Sequence, residues 1–283
     1  MAQSQYTGAQ YLNMNAPNEL DLKQRMRAMW TAGDFGKIAS QNIEHAREFA
    51  GRLEIRPGIR VLDVACGTGN LALPVAALGA HVTGVDIAPN LLEQARARAS
   101  EDGLEIRFDE GDAEELPYEN ESFDLVVTMY GAMFAPFPDK VASELARVCK
   151  SGGQIAMANW TPSSFPAKVF ALGTRYAPAP LGVPPAFLWG EDSVLRERLR
   201  PYCSDIRTAR RPVDLRGPVP PHIAAAAFAE NFGPIRAIAD RLDPAGRAQY
   251  RSDLEKLWSE HNEAPDGTTF IRGEYLEVIA SRV

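Results

Sequence analysis

Three acids close successive β-rich runs and carry the most chemistry: Asp63 in VLDVACGTGN, Asp86 in VTGVDIAP and Asp112 in EGDAEELPYENESFDLVV. After Asp63 come Gly67 and Gly69, glycines placed where the chain must turn from a strand into a helix. Glycine accepts a positive φ and lets the backbone approach a ligand closely, so this turn offers free N–H groups at a strand's carboxyl edge. That is a nucleotide cradle. Gly67, Gly69 and Ala72 also satisfy the loose form G-x-G-x-x-[GA], which by itself permits a dinucleotide. Asp63 argues for a different ligand, because a carboxylate there suits an ammonium and would repel a pyrophosphate. Asp86 can accept two ribose hydroxyls, and Asp112 with Ala113 and Glu114 can read an adenine edge. The expected ligand is therefore an adenosine bearing positive charge.

The elements that must position these acids alternate between residues 51 and 160. RVLDVA, HVTGVDI, EIRFDEGD, FDLVVTMY and QIAMANW read as strands, and LALPVAALG, LLEQARARAS and KVASELARVC as helices. Repeated βαβ order implies a parallel sheet covered on both faces. Gly152 and Gly153 are expected to end the last of these helices. Residues 1–50 read as an N-terminal helical lid carrying Trp30 and Phe35. Residues 161–216 hold a proline-rich wrap, expected to be irregular over 161–190, and a sixth strand at 205–216. Residues 217–266 form a helical cap insertion and 267–283 hold the last strand of the core sheet. The fold class is α/β: a Rossmann-like doubly wound sheet of about seven strands, mostly parallel with an antiparallel last strand.

Composition bounds the partners. Lys and Arg total 30 against 37 Asp and Glu, a formal charge of -7, so long nucleic acid would meet repulsion. No run approaches the roughly 18 apolar residues of a membrane span, and MAQSQYTGAQYLNMN lacks the basic and apolar regions of a signal peptide, so a cytoplasmic address is expected. Three scattered cysteines, Cys66, Cys149 and Cys203, indicate neither a disulfide framework nor a zinc site. No acidic cluster outside the cradle suggests magnesium, so no metal is expected. The sequence leaves a homodimer open.

Taken together, these segments resemble the class I S-adenosylmethionine-dependent methyltransferases, and more narrowly the bacterial small-molecule branch related to ubiquinone/menaquinone (type 11) enzymes. VLDVACGTGN is similar to the family's first motif, with Ala65 in place of its usual first glycine, an exchange that fits if Ala65 keeps a negative φ. VTGVDIAP resembles the second motif, GDAEELPY the third, FDLVVTMYGAMFAP the fourth and LARVCKSGGQIAMANW the helix-turn-strand that follows. The resemblance implies that Asp63 and the backbone of Ala65, Cys66, Gly67 and Gly69 receive the methionine part of S-adenosyl-L-methionine. It further implies that Asp86 binds the ribose with Ile87 against the adenine, that Asp112 and Ala113 hold the adenine, and that Met129 lies near the sulfonium. S-adenosyl-L-homocysteine would be the product.

Transfer from a sulfonium is an in-line displacement by a nucleophile held near 3–3.5 Å with water excluded, and a catalytic base is optional. No base is evident, and the catalytic residues are left unassigned. Trp30, Phe35, Tyr130, Phe134, Asn159 and Trp160 are candidates for the acceptor pocket or its lid, though each could equally be a packing residue. Met133, Phe134 and Phe137 suggest an acceptor that is small and largely hydrophobic or aromatic. Two alternatives stand beside this reading: an NAD-dependent oxidoreductase on a Rossmann fold, and a non-catalytic ligand-binding protein on the methyltransferase fold.

Overall fold

A computed structural model describes residues 18–283. The N-terminal segment read above for targeting signals, and the first part of the expected lid, lie outside the described residues. Seven strands form one sheet in the order β3-β2-β1-β4-β5-β7-β6. They are β1 (Arg60–Val64), β2 (His81–Asp86), β3 (Arg107–Glu110), β4 (Phe123–Met129), β5 (Cys149–Trp160), β6 (Cys203–Gly217) and β7 (Thr269–Arg282). The first five run parallel, and β7 enters antiparallel between β5 and β6. Central strands of a covered parallel sheet are apolar on both faces. Accordingly Val61, Leu62, Asp63 and Val64 of β1 are all buried.

The crossover helices are α4 (Ala72–Ala77), α5 (Pro89–Glu101) and α6 (Pro138–Val148). Pro89 and Pro138 sit in the first turns of α5 and α6, where a missing N–H costs nothing. The register carries the functional consequence. Asp63 lies level with Gly84 of β2 and Val127 of β4, and Met129 level with Ala158 of β5, so the carboxyl ends of β1, β2, β4 and β5 share one edge. Helices α1 (Glu19–Thr31), α2 (Phe35–Ala39) and α3 (Ile43–Arg52) precede the sheet, and α9 (Pro221–Asn231), α10 (Gly233–Ala239) and α11 (Pro244–His261) come between β6 and β7. Phe165, Val169, Phe232, Tyr250 and Trp258 anchor a second apolar cluster, distinct from the one under the sheet.

Two expectations are corrected. The stretch after β5 is not wholly irregular: it contains α7 (Phe165–Thr174) and, after a 3-10 turn at Ala186–Gly190, α8 (Asp192–Leu199). Pro166 lies in the first turn of α7, where proline starts a helix rather than breaking one. Gly152 and Gly153 do not cap α6, which ends at Val148. They lie inside β5, where Gly152 takes a φ of 75° beside a register irregularity against β4. A β-bulge needs that conformation, which glycine adopts without strain.

Candidate active site at the carboxyl edge of the sheet

The loop after β1 is held by the neighbouring strand. Asp86, 7% exposed, accepts the Gly67 N–H on Oδ2 at 2.8 Å and the Ala88 N–H on Oδ1 at 2.9 Å. Burial pushes the Asp86 carboxyl up, and those N–H donors pull against the shift. A carboxylate has about four acceptor sites, so two remain for incoming hydroxyls. Gly67 takes a φ of 53°, and a Cβ built on it would meet nothing within 4 Å, so its free face is open space. Gly69 is different. Its Cβ would lie 2.6 Å from Leu73 Cδ1, and its carbonyl accepts the Leu73 N–H at 3.0 Å, tying the turn to α4.

Asp63 is 1% exposed, and its Oδ2 has no hydrogen-bond partner. Burial first, then the nearby Asp86, raise its carboxyl well above the usual range. An ammonium beside it would supply the missing donor and the opposite charge. Cys66 is buried and its thiol is pushed well up, chiefly by burial, which makes it packing rather than a nucleophile.

The structure overturns the expectation at Ala65. Its φ is 55°, in the left-handed region. Tyr130, at the end of the adjacent strand β4, has a φ of 60°. Non-glycine residues occupy this region at a cost and are found there chiefly at functional sites. Between the two lies Gly131, whose Cβ would sit 2.4 Å from the Ala65 carbonyl oxygen and 2.6 Å from the Ala65 methyl. Gly131 thus makes room for the backbone at Ala65.

One cavity of about 370 Å³ runs from these strand ends into the space under the helices. Asp63, Ala65, Cys66, Gly67, Asp86, Ile87, Asp112, Ala113 and Met129 all line it, as do Trp30, Phe35, Tyr130, Phe134 and Trp160. Gly69 does not line it, and acts from behind the loop. Asn159 does not line it either: it is 1% exposed on β5 next to Trp160, and strand alternation sends its side chain to the other face. The wall away from the acids is aromatic. The Trp30 ring lies 5.3 Å from Phe134, 5.7 Å from Phe232 and 5.9 Å from Phe35, while Phe170 stacks on Phe134 at 5.1 Å. Tyr130 stacks on Trp160 with centroids 4.0 Å apart.

Sequence reasoning missed several contributors. Lys23 of α1 reaches Asp112 Oδ2 at 2.8 Å and Glu114 Oε2 at 3.2 Å. Arg98 of α5 donates to the Thr68 carbonyl and to Asn70 Oδ1, both at 2.7 Å, and holds the far end of the glycine turn. Phe170, Phe228, Phe232 and Trp258 complete the aromatic wall from α7, α9, the α9–α10 junction and α11.

The contact between Ala65 and Gly131 makes a testable pair. Ala65→Gly should leave the fold intact and stabilise it by up to about 1 kcal/mol, because glycine relieves the left-handed strain. Gly131→Ala should destabilise by about 1–3 kcal/mol through overpacking, and less so when Ala65 is also glycine. Denaturant unfolding of the two single variants and the double variant measures the coupling, and strict additivity would contradict the close approach.

Residues 61–153 match the model of the methyltransferase domain family. An uncharacterized protein of Mycobacterium bovis is 40% identical over 241 residues, covering 83% of this chain and 87% of its own. A phosphatidylethanolamine N-methyltransferase of Cereibacter sphaeroides is 39% identical over 145 residues, 50% of this chain and 69% of that one. In fold, the chain is similar to Haemonchus contortus phosphoethanolamine N-methyltransferase 2, solved in complex with S-adenosyl-L-methionine, with a TM-score of 0.52, 18% identity, and 84% of this chain and 52% of that one covered. The cradle fits that donor: an open glycine face, an unpartnered buried carboxylate for an ammonium, and spare acceptor sites on Asp86. With the family model, the relatives and the sheet order in agreement, the chain belongs to the class I S-adenosylmethionine-dependent methyltransferases.

Proposed function

We propose that the enzyme moves the methyl group of S-adenosylmethionine to a small, largely hydrophobic or aromatic acceptor that brings its own nucleophile. The observation that carries this reading is the aromatic wall continuous with the donor cradle, which has no residue suited to act as a base. No histidine is among the residues lining the cavity. Tyr130 follows Met129 in the chain, and burial raises its phenol well above the ordinary value, so it stays protonated. Arg216, whose segment lines the far end, pairs with Asp214 and lies over the Phe270 ring at 4.0 Å.

The donor supplies a methyl group already activated on a positively charged sulfur. The protein's residues bind, orient and exclude water. In this reading Asp63 holds the amino group of the methionine part, Asp86 the ribose hydroxyls, and Asp112 with the Ala113 backbone the adenine edge, with Ile87 against the ring. Met129, at the end of β4, faces the transferring methyl. Trp30, Phe35 and Phe134 cover the junction, where an aromatic face favours a sulfonium by about 0.5–2 kcal/mol. Desolvation by these walls raises the reactivity of an acceptor that is already nucleophilic, such as a thiol, an amine or an ionised phenol. The Cereibacter relative is by its name an enzyme acting on an amine carried by a lipid, an acceptor with a large apolar body.

Incubation with donor carrying a trideuterated methyl, against a panel of apolar and charged acceptors, tests this by mass spectrometry. Label should appear on apolar or aromatic acceptors, and kcat should follow each acceptor's own ionisation. Transfer only to highly charged acceptors, or one pH profile common to all of them, would contradict the proposal. A second outcome follows from Asp63. Its carboxyl is raised in the free protein, and a bound ammonium favours the ionised form, so binding is linked to proton release. Affinity for S-adenosylhomocysteine should therefore climb as pH rises through that raised value and then level off, with Asp63→Asn flattening the profile. Titration calorimetry across pH checks it, and an affinity that falls over the same range would sink the placement of Asp63.

A further inference from the structure

Helix α1 is attached differently at its two ends. Its carboxyl end is locked by backbone: a Cβ on Gly233 would meet the Met29 carbonyl oxygen at 1.9 Å, and one on Gly33 would meet the Asn231 carbonyl oxygen at 2.6 Å. Trp30 adds its contacts with Phe35, Phe134 and Phe232. Toward the amino end, among the described residues, Leu22 is buried and the other ties are charges. Glu19 pairs with Lys140, Lys23 with Asp112 and Glu114, and Arg27 with Glu110, each with a partner of opposite sign. The helix is therefore fastened by packing at one end and by ion pairs at the other, beside a glycine at φ 85° that can serve as a hinge.

Lys23 is the centre of that fastening. Its side chain is 19% exposed, and it faces the fully buried side chain of Glu114, whose Oε1 accepts the Phe137 N–H at 2.7 Å. Asp112 accepts the Glu114 N–H on Oδ1 at 2.9 Å and pairs with Lys23 through Oδ2. Lys23, Met26 and Trp30 all line the cavity. Their spacing of three and then four places them on one helical face, so α1 spans both the adenine end and the acceptor end.

We infer that Lys23 is a positioning residue, an ionic latch that holds α1 closed over the adenine edge and must release for the donor or its product to pass. The inference rests on the donor placement proposed above. Asp112 keeps an acceptor site for the adenine amino group while paired, so the latch closes over a bound nucleoside without displacing it. The exposed pairs at Glu19 and Arg27 weaken with salt, whereas the Lys23–Glu114 pair is buried and screened much less.

The experiment is stopped-flow binding of S-adenosylhomocysteine, with amide hydrogen exchange of the ligand-free protein, on the wild type, Lys23→Met and Lys23→Arg. Lys23→Met should speed both association and dissociation by about tenfold, change Kd less than either rate, and raise exchange across Glu19–Thr31 while the sheet stays protected. Lys23→Arg should restore slow exchange. Wild-type rates in Lys23→Met, or faster dissociation with association unchanged, would overturn the latch, the latter because a plain ligand contact behaves that way. If the wild type binds no S-adenosylhomocysteine, the donor placement fails. Exchange in the ligand-free Lys23→Met then decides the latch alone: raised in α1 it stands, unchanged it falls.

Discussion

The site depends on one buried carboxylate. Asp86 ends β2 and uses both oxygens on backbone, accepting from Gly67 and from Ala88, so a single side chain ties the glycine turn of β1 to the turn that opens α5. Burying a carboxylate costs several kcal/mol unless hydrogen bonds replace its water, and charge-assisted bonds return about 1.5–3 kcal/mol each. Two such bonds make the ionised form tolerable while leaving acceptor capacity. The loop is thereby set before any ligand arrives, and less ordering cost falls on binding. Asp63, one strand over, keeps one oxygen, Oδ2, without a partner, free to accept from a donor group that approaches.

Around that rigid edge the molecule is built in two materials. The strand ends and their turns are held by short hydrogen bonds and by crowded glycines, Gly131 against Ala65 and Gly69 against Leu73. The covering helices meet the cavity through aromatic rings drawn from α1, α2, α7, α9 and α11. Rings packed edge to face tolerate small shifts, and they exclude water without offering a proton acceptor. The polar edge of the cavity is set by the strand ends, and its apolar part by helices drawn from both ends of the chain. Where a methyl is already activated, holding and drying the partners supplies much of the rate.

Much of this was legible in the amino-acid sequence because parallel βαβ units write their register locally. The strand-end acids, the glycine turn and the strand alternation between 60 and 160 are each short-range patterns, and the sheet places them where those patterns imply. Two of the misses depend on partners distant in the chain. Lys23 pairs with residues about ninety positions away, which no spacing rule reveals. The exchange at Ala65 fits by the sequence argument if φ is negative, yet φ is positive, and Gly131, in the turn after β4, clears the space for that backbone. Pro166 lies in the proline-rich stretch that reads as irregular, although in a first turn it begins α7. Asn159 looked functional from its place at a strand end, but alternation turns it away from the cavity that its neighbour Trp160 lines.

The central claim is that the acid-lined strand edge holds a sulfonium nucleoside through Asp86. Isothermal titration of the wild type and of Asp86→Asn with S-adenosylhomocysteine and with NAD tests it most directly. The wild type should bind S-adenosylhomocysteine saturably and NAD not at all, and Asp86→Asn should lose about 1.5–3 kcal/mol of that binding, the worth of hydrogen bonds to a charged acceptor. Binding of NAD without S-adenosylhomocysteine, or wild-type affinity in Asp86→Asn, would contradict it.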